Sequence, residues 1–167
     1  MQINLKHSAV EVIGLYPKLS ADSKKRLQVQ ACKMYGEYMA LRIGDFIACT
    51  RGDFSHIDCT DDERLTAGQY VWLIGFSEFC EDFLRKLKNL TPPMSETERQ
   101  ASAKCLKTTL AESMLVESRR YFGLHSFSDA ENITLGEYLI ARKDTYNGKV
   151  FAMAQQAIIK QRQKTRR

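Results

Sequence analysis

Two stretches constrain the fold of this chain more than any other feature: Leu65-Thr66-Ala67-Gly68-Gln69-Tyr70 and Ile133-Thr134-Leu135-Gly136-Glu137-Tyr138. Each reads as a helix start. The threonine is an N-cap whose oxygen accepts from an orphan backbone N–H, and the Gln or Glu three residues on returns a bond, closing a capping box. The apolar residue before each threonine is placed to pack on the tyrosine at N4 as a hydrophobic staple. A third triplet, Gly36-Glu37-Tyr38, lies about 32 residues before Gly68-Gln69-Tyr70, and Gly136-Glu137-Tyr138 lies about 68 after it, periods that a helical repeat would show. The first triplet falls inside an apolar helical pattern and the intervening residues do not match. The two threonine-led copies are therefore read as one shared way of starting a helix.

The remaining apolar pattern is helical as well. Ala9-Val10-Glu11-Val12-Ile13-Gly14-Leu15-Tyr16 before Pro17 suits a short helix, because nothing else offers a strand to pair with. Ser20 caps a long helix whose Leu27, Ala31, Met34, Tyr38 and Leu41 share one face, with a bend or break expected near Gly44. From Gly52 to Glu63 the chain is polar and acidic and reads as a loop. Thr66 opens the central helix, whose Trp72, Phe76, Phe79, Phe83, Leu87 and Leu90 form a stripe at helical steps, and Thr91-Pro92-Pro93 stops it. Ser95-Glu96-Thr97-Glu98 is another capping box and opens a helix through about Phe122, with Leu106, Leu110 and Met114 on its face. Gly123 ends it with a left-handed residue. Thr134 starts the last helix, with a bend expected at Asn147-Gly148. The expected class is all-α: a compact bundle of four long helices plus one or two short ones, as a single domain over 1–159.

The net charge of +5 is local. Lys160, Arg162, Lys164, Arg166 and Arg167 carry it within residues 160–167, leaving 20 basic against 20 acidic groups in residues 1–159. A neutral body with a basic tail is a narrower hint than a basic face. Those five residues are the candidate contacts to nucleic acid or to an acidic partner. The five cysteines, Cys32, Cys49, Cys59, Cys80 and Cys105, include no C-x-x-C pair, which argues against a disulfide framework or a zinc ribbon and for a reducing, cytoplasmic setting. Cys80 and Cys105 fall in apolar helical patterns and read as small hydrophobes. The N-terminus has no long apolar stretch of the secretory type, and no run of about 18 apolar residues points to a membrane span.

No enzyme class with a local signature fits. His56 and Cys59, with Asp53, Asp58 and Asp61 nearby, have metal-like composition but lack a second ligand pair, so they read as a solvated acidic loop. His7 and His125 stand alone. Glu78, Glu81, Glu112 and Glu117 lack the Glu-x-x-His partners of a di-metal bundle. Neither a glycine-rich dinucleotide loop nor a P-loop occurs. No catalytic residue, metal or cofactor is expected. The aromatics Trp72, Phe76, Phe79 and Phe83 are read first as core and second as a partner-facing surface.

The two threonine-led starts, together with Tyr121-Phe122-Gly123-Leu124-His125-Ser126-Phe127, resemble a pattern in small helical proteins encoded among the structural and tail genes of tailed bacteriophages. The resemblance covers roughly residues 65–145. It implies a non-enzymatic component of virion assembly, such as a tail assembly chaperone or a head–tail connector subunit, that contacts protein partners or copies of itself. It carries over no ligand or catalytic residue. The alternative is a small nucleic-acid-binding accessory protein that uses the basic tail.

Overall fold

The computed structural model describes residues 3–59 and 65–165 of the chain. Among them the fold is all-α: α1 (Val10–Ile13), α2 (Ala21–Tyr35), α3 (Ile43–Thr50), α4 (Ala67–Asn89), α5 (Glu96–Ala103), α6 (Leu110–Phe122), α7 (Phe127–Glu131) and α8 (Leu135–Thr165). Single 3₁₀ turns lie at Tyr16–Lys18, Tyr38–Ala40 and Ser55–Ile57. Pairing of β type among the described residues is confined to isolated bridges.

Both threonine-led starts are capping boxes. Thr66 Oγ1 accepts from Gln69 N–H at 3.2 Å while Gln69 Oε1 accepts from Thr66 N–H at 2.8 Å. Thr134 and Glu137 repeat this at 3.2 and 2.9 Å. Ser95 and Glu98 close the box that opens α5. The twin starts share more than caps, however. Ala9 N–H donates to Leu65 O and Ala67 N–H to His7 O; with the upstream segment 34 residues on and the helix start 68 residues on, Ile43 N–H donates to Ile133 O and Leu135 N–H to Leu41 O. Each helix start is thus clamped by a short antiparallel bridge to an upstream segment. The glycine of each motif follows from that clamp. A Cβ on Gly68 would lie 3.1 Å from Leu5 O, and one on Gly136 3.2 Å from Met39 O, which is 34 residues further along. The unit is a duplicated clamp with its halves interleaved along the chain, where the sequence showed only a shared helix start.

Thr66→Ala and Thr134→Ala are each expected to cost about 0.5–2 kcal/mol in urea melts. The double variant should lose their sum, because the two sites share no partner. A midpoint that moves for neither single variant would show that these caps are not what holds the helix starts.

The core is built around α4. The Trp72 ring stacks on Phe76 at 5.2 Å, Tyr38 packs on Trp72 at 5.0 Å, and Phe46 from α3 meets Phe83 edge-on at 5.5 Å. Trp72 Nε1–H donates to Gly36 O at 3.0 Å, and Tyr38 O–H donates to Trp72 O at 3.0 Å. Gln69, itself buried, donates to Ile57 O and Asp58 O and holds the 55–59 turn against the helix.

Two of the four expected long helices are broken. The first stops at Tyr35, not near Gly44, because Gly36 takes φ +98° and gives its carbonyl to the Trp72 indole. Met34 is consequently exposed, and Leu41 reaches the core from the segment after the break. Gly44 lies inside α3, where a Cβ would sit 3.2 Å from the Glu131 Cβ; it serves close packing on α7. The helix expected over 95–122 ends at Ala103 and restarts at Leu110. Thr109 and Glu112 form a capping box of their own, and that competing start signal wins. Cys105 and Leu106, expected on an apolar face, fall in the gap and are exposed. Conversely, α8 runs without interruption through Asn147-Gly148 and continues past Ile159 to Thr165.

Candidate functional site

Among the described residues, those that had metal or catalytic character in sequence do not come together as a metal-type cluster. His56 lies over Trp72, with ring centroids 5.2 Å apart, and its Nδ1 is 3.6 Å from Cys49 Sγ. Burial pushes the Cys49 thiol up to about 12 and lowers the His56 imidazole, so both are held neutral. A thiol held protonated is the reverse of a nucleophile. Asp53 caps the turn at Ser55, and Asp61 lies outside the described residues. No cluster of His, Cys, Asp and Glu with metal-site geometry occurs among the described residues. The five cysteines form no disulfide. His7 bonds Asn4, and the His125 carbonyl accepts from Arg119. Glu112 caps its own helix and Glu78 accepts from Gln28. The aromatics Trp72, Phe76 and Phe83 are buried and Phe79 is half-buried, so the stripe read second as partner-facing is core.

The polar residues that do converge lie where α4, α6 and α8 meet. Glu117 Oε2 accepts from Tyr138 O–H at 2.6 Å, from Arg142 Nη1 at 2.5 Å and from Tyr121 O–H at 3.3 Å. Arg142 Nη1 also reaches the Tyr138 hydroxyl at 2.9 Å, and its Nη2 lies 3.5 Å from Leu87 O at the end of α4. Burial first, and then the bond to Glu117, raise the Tyr138 phenol well above its ordinary range, so it stays a neutral donor. Arg142 Nε is buried with no hydrogen-bond partner. Beside this cluster opens a cavity of about 560 Å³ lined by Leu90, Pro92, Arg120, Tyr121, Thr145 and Lys149 as well as Glu117 and Arg142. Lys149 also pairs with Glu98 of α5 at 3.0 Å. In sequence only fragments of the cluster were visible, as the i,i+4 pairs Glu117/Tyr121 and Tyr138/Arg142.

Beyond the cavity, α8 leaves the body. Every residue from Val150 to Gln163 is exposed. Among them Val150 is 39%, Phe151 66%, Met153 38%, Ile158 51% and Ile159 54% exposed. The duplicated clamp shows what is unusual here. Phe83 on α4 and Phe151 on α8 stand at equivalent steps from their threonine caps, yet Phe83 is 1% exposed under Phe46. The basic residues singled out in sequence lie on this free arm: Lys160 and Arg162 are exposed on helix, Lys164 is within the helix, and Arg166 and Arg167 lie outside the described residues. No helix among the described residues is long and apolar enough to cross a membrane.

No protein-family model matches this chain, and no curated protein or solved structure does either.

Proposed function

We propose that this chain is a non-enzymatic assembly protein that works through protein–protein contacts, of the kind that tailed phages use as tail assembly chaperones or connector subunits. The free arm of α8 carries the reading. About 27 Å of helix from Gly148 to Thr165 carries five large apolar side chains that the body leaves open to water. A cluster of large exposed apolar side chains on one element marks an interaction site. The resemblance of the helix starts to phage structural and tail proteins gives the reading its setting.

Co-expression with the products of neighbouring genes tests it. A partner, or further copies of the chain, should co-purify in size-exclusion chromatography with light scattering. Phe151→Glu/Ile158→Glu should abolish that contact without lowering the melting temperature, because both side chains are exposed. A monomer at every concentration with nothing bound would sink the proposal. Binding of duplex DNA that weakens with salt and disappears on removing residues 160–167 would replace it with the nucleic-acid reading.

A further inference from the structure

One side of α8 is left uncovered from the root of the arm outward. Val150, Phe151, Ala154, Ala157 and Ile158 all lie within about 60° of a line through Ala154 at 100° per residue, and all are exposed. The amides of Asn147 and Gln161 sit about 20° from that line, one toward each end, and are exposed too. The residues that hold α8 to the body, Tyr138, Arg142 and Lys149, stand about 120° or more away from it.

Reversed about Ala154, this stripe matches itself. Position 150 falls opposite 158, 151 opposite 157, and 147 opposite 161. Val150 therefore meets Ile158, the large Phe151 ring meets the small Ala157, and amide meets amide, while Ala154 meets itself and lets the backbones approach. The flank repeats the match. Asp144 and Arg162 both lie about 80° to the same side of the line, and a two-fold antiparallel pair brings like flanks together, so the acid of one helix faces the base of the other, twice. Neither residue makes an ion pair with any described residue. Lys149 and Lys160 lie about 120–140° from the line, on the back of the helix in water. Lys143 comes level with Lys164 and Thr165 of the copy at the last turn, where long side chains reach solvent.

We infer that the arm pairs with the arm of a second copy of this chain, as a two-fold antiparallel helix pair centred on Ala154. The inference rests on the protein–protein reading above and names the partner. A helical extension of about this length is marginal in water without packing, and pairing supplies that packing. The Asn147–Gln161 match fixes the register, as a polar pair within an apolar seam does. Two other occupants fit worse. Nucleic acid would leave Val150, Phe151 and Ile158 in water, and a lipid surface would bury the Asn147 amide without a partner.

Sedimentation equilibrium of the full-length chain should show a reversible dimer. Ala154→Glu sets two carboxylates together on the axis and should weaken it by about tenfold or more, whereas Ala152→Glu, which adds the same charge on the opposite side of the helix, should not. Asp144→Arg and Arg162→Asp should each weaken it by about tenfold, and Asp144→Arg/Arg162→Asp should restore wild-type affinity by rebuilding the pair in reverse. All four positions are exposed, and circular dichroism melts check that the variants stay folded. Cross-linking tests the register in a Cys105→Ser background, which removes the exposed native thiol. Asn147→Cys and Gln161→Cys proteins should form a disulfide when mixed and not alone, because the antiparallel pair holds residue 147 about 21 Å from its own copy. A disulfide formed by Asn147→Cys alone would show a parallel pair and overturn the inference. So would a dimer indifferent to Ala154→Glu, charge reversal without rescue, or a monomer captured by phosphatidylserine vesicles or duplex DNA. A monomer that still co-purifies a partner which Phe151→Glu/Ile158→Glu releases would overturn the second copy and leave the assembly reading standing.

Discussion

Trp72→Ala is expected to lower the unfolding free energy by about 3–5 kcal/mol, enough to leave a marginally stable domain of this size largely unfolded at modest urea. Three losses combine. The indole is completely buried, so its removal forfeits transfer free energy and leaves a void between Phe76 and Tyr38. The bond from Nε1 to Gly36 O disappears, leaving a carbonyl at the α2 break without that donor. The 3₁₀ turn at Tyr38–Ala40 loses the ring it packs on, and that turn leads into the second clamp at Leu41–Ile43. Phe79→Ala, at a half-buried position of the same stripe, should cost clearly less. Urea melts followed by far-UV circular dichroism compare the two. A Trp72→Ala midpoint no lower than that of Phe79→Ala would show that α4 is not the centre of the core.

That the α4 stripe is core was legible because it is local: aromatics at steps of four and three on one helix need no knowledge of the rest of the chain. The capping boxes at Thr66, Ser95 and Thr134 were legible for the same reason, since a cap and its partner lie three residues apart. The break at Gly36 was not, because its cause is an indole 36 residues away. Glycine alone marks a cost and not a conformation, and Gly44, the residue that looked like the break, is explained by the side of Glu131. Thr109-Leu110-Ala111-Glu112 carried its start signal openly, but the apolar run through Leu106 and Leu110 matched a continuous helix and masked it. The duplicated clamp was half legible. The twin motifs could be read, whereas their upstream partners, His7–Ala9 and Leu41–Ile43, share backbone geometry and almost no side chains. The free arm of α8 was legible as helix and as basic. Whether anything covers a helix face is a tertiary fact, and periodicity does not contain it.

The Glu117 cluster should answer mutation asymmetrically. Glu117→Leu is expected to cost about 3 kcal/mol, the low end for breaking a buried ion pair. It strands Arg142, whose side chain is 15% exposed, and it leaves the hydroxyls of Tyr138 and Tyr121 without their shared acceptor. Arg142→Met should cost less, about 1–2 kcal/mol. Glu117 is 30% exposed and still receives two tyrosine O–H bonds, so its charge stays partly solvated and hydrogen-bonded when the guanidinium is gone. If the pair acts as a unit, the double variant should be less destabilised than the sum of the singles, with a coupling of at least about 1 kcal/mol. Tyr138→Phe separates the phenol from the ring. It removes a donor to Glu117 and an acceptor for Arg142 Nη1 but keeps the Arg142–Glu117 pair and the packing, so it should cost about 1–2 kcal/mol, as for one or two hydrogen bonds. Equal costs for Glu117→Leu and Arg142→Met, with additive behaviour in the double variant, would mean that the three groups stabilise the α6–α8 junction independently and that Glu117 is not its hub.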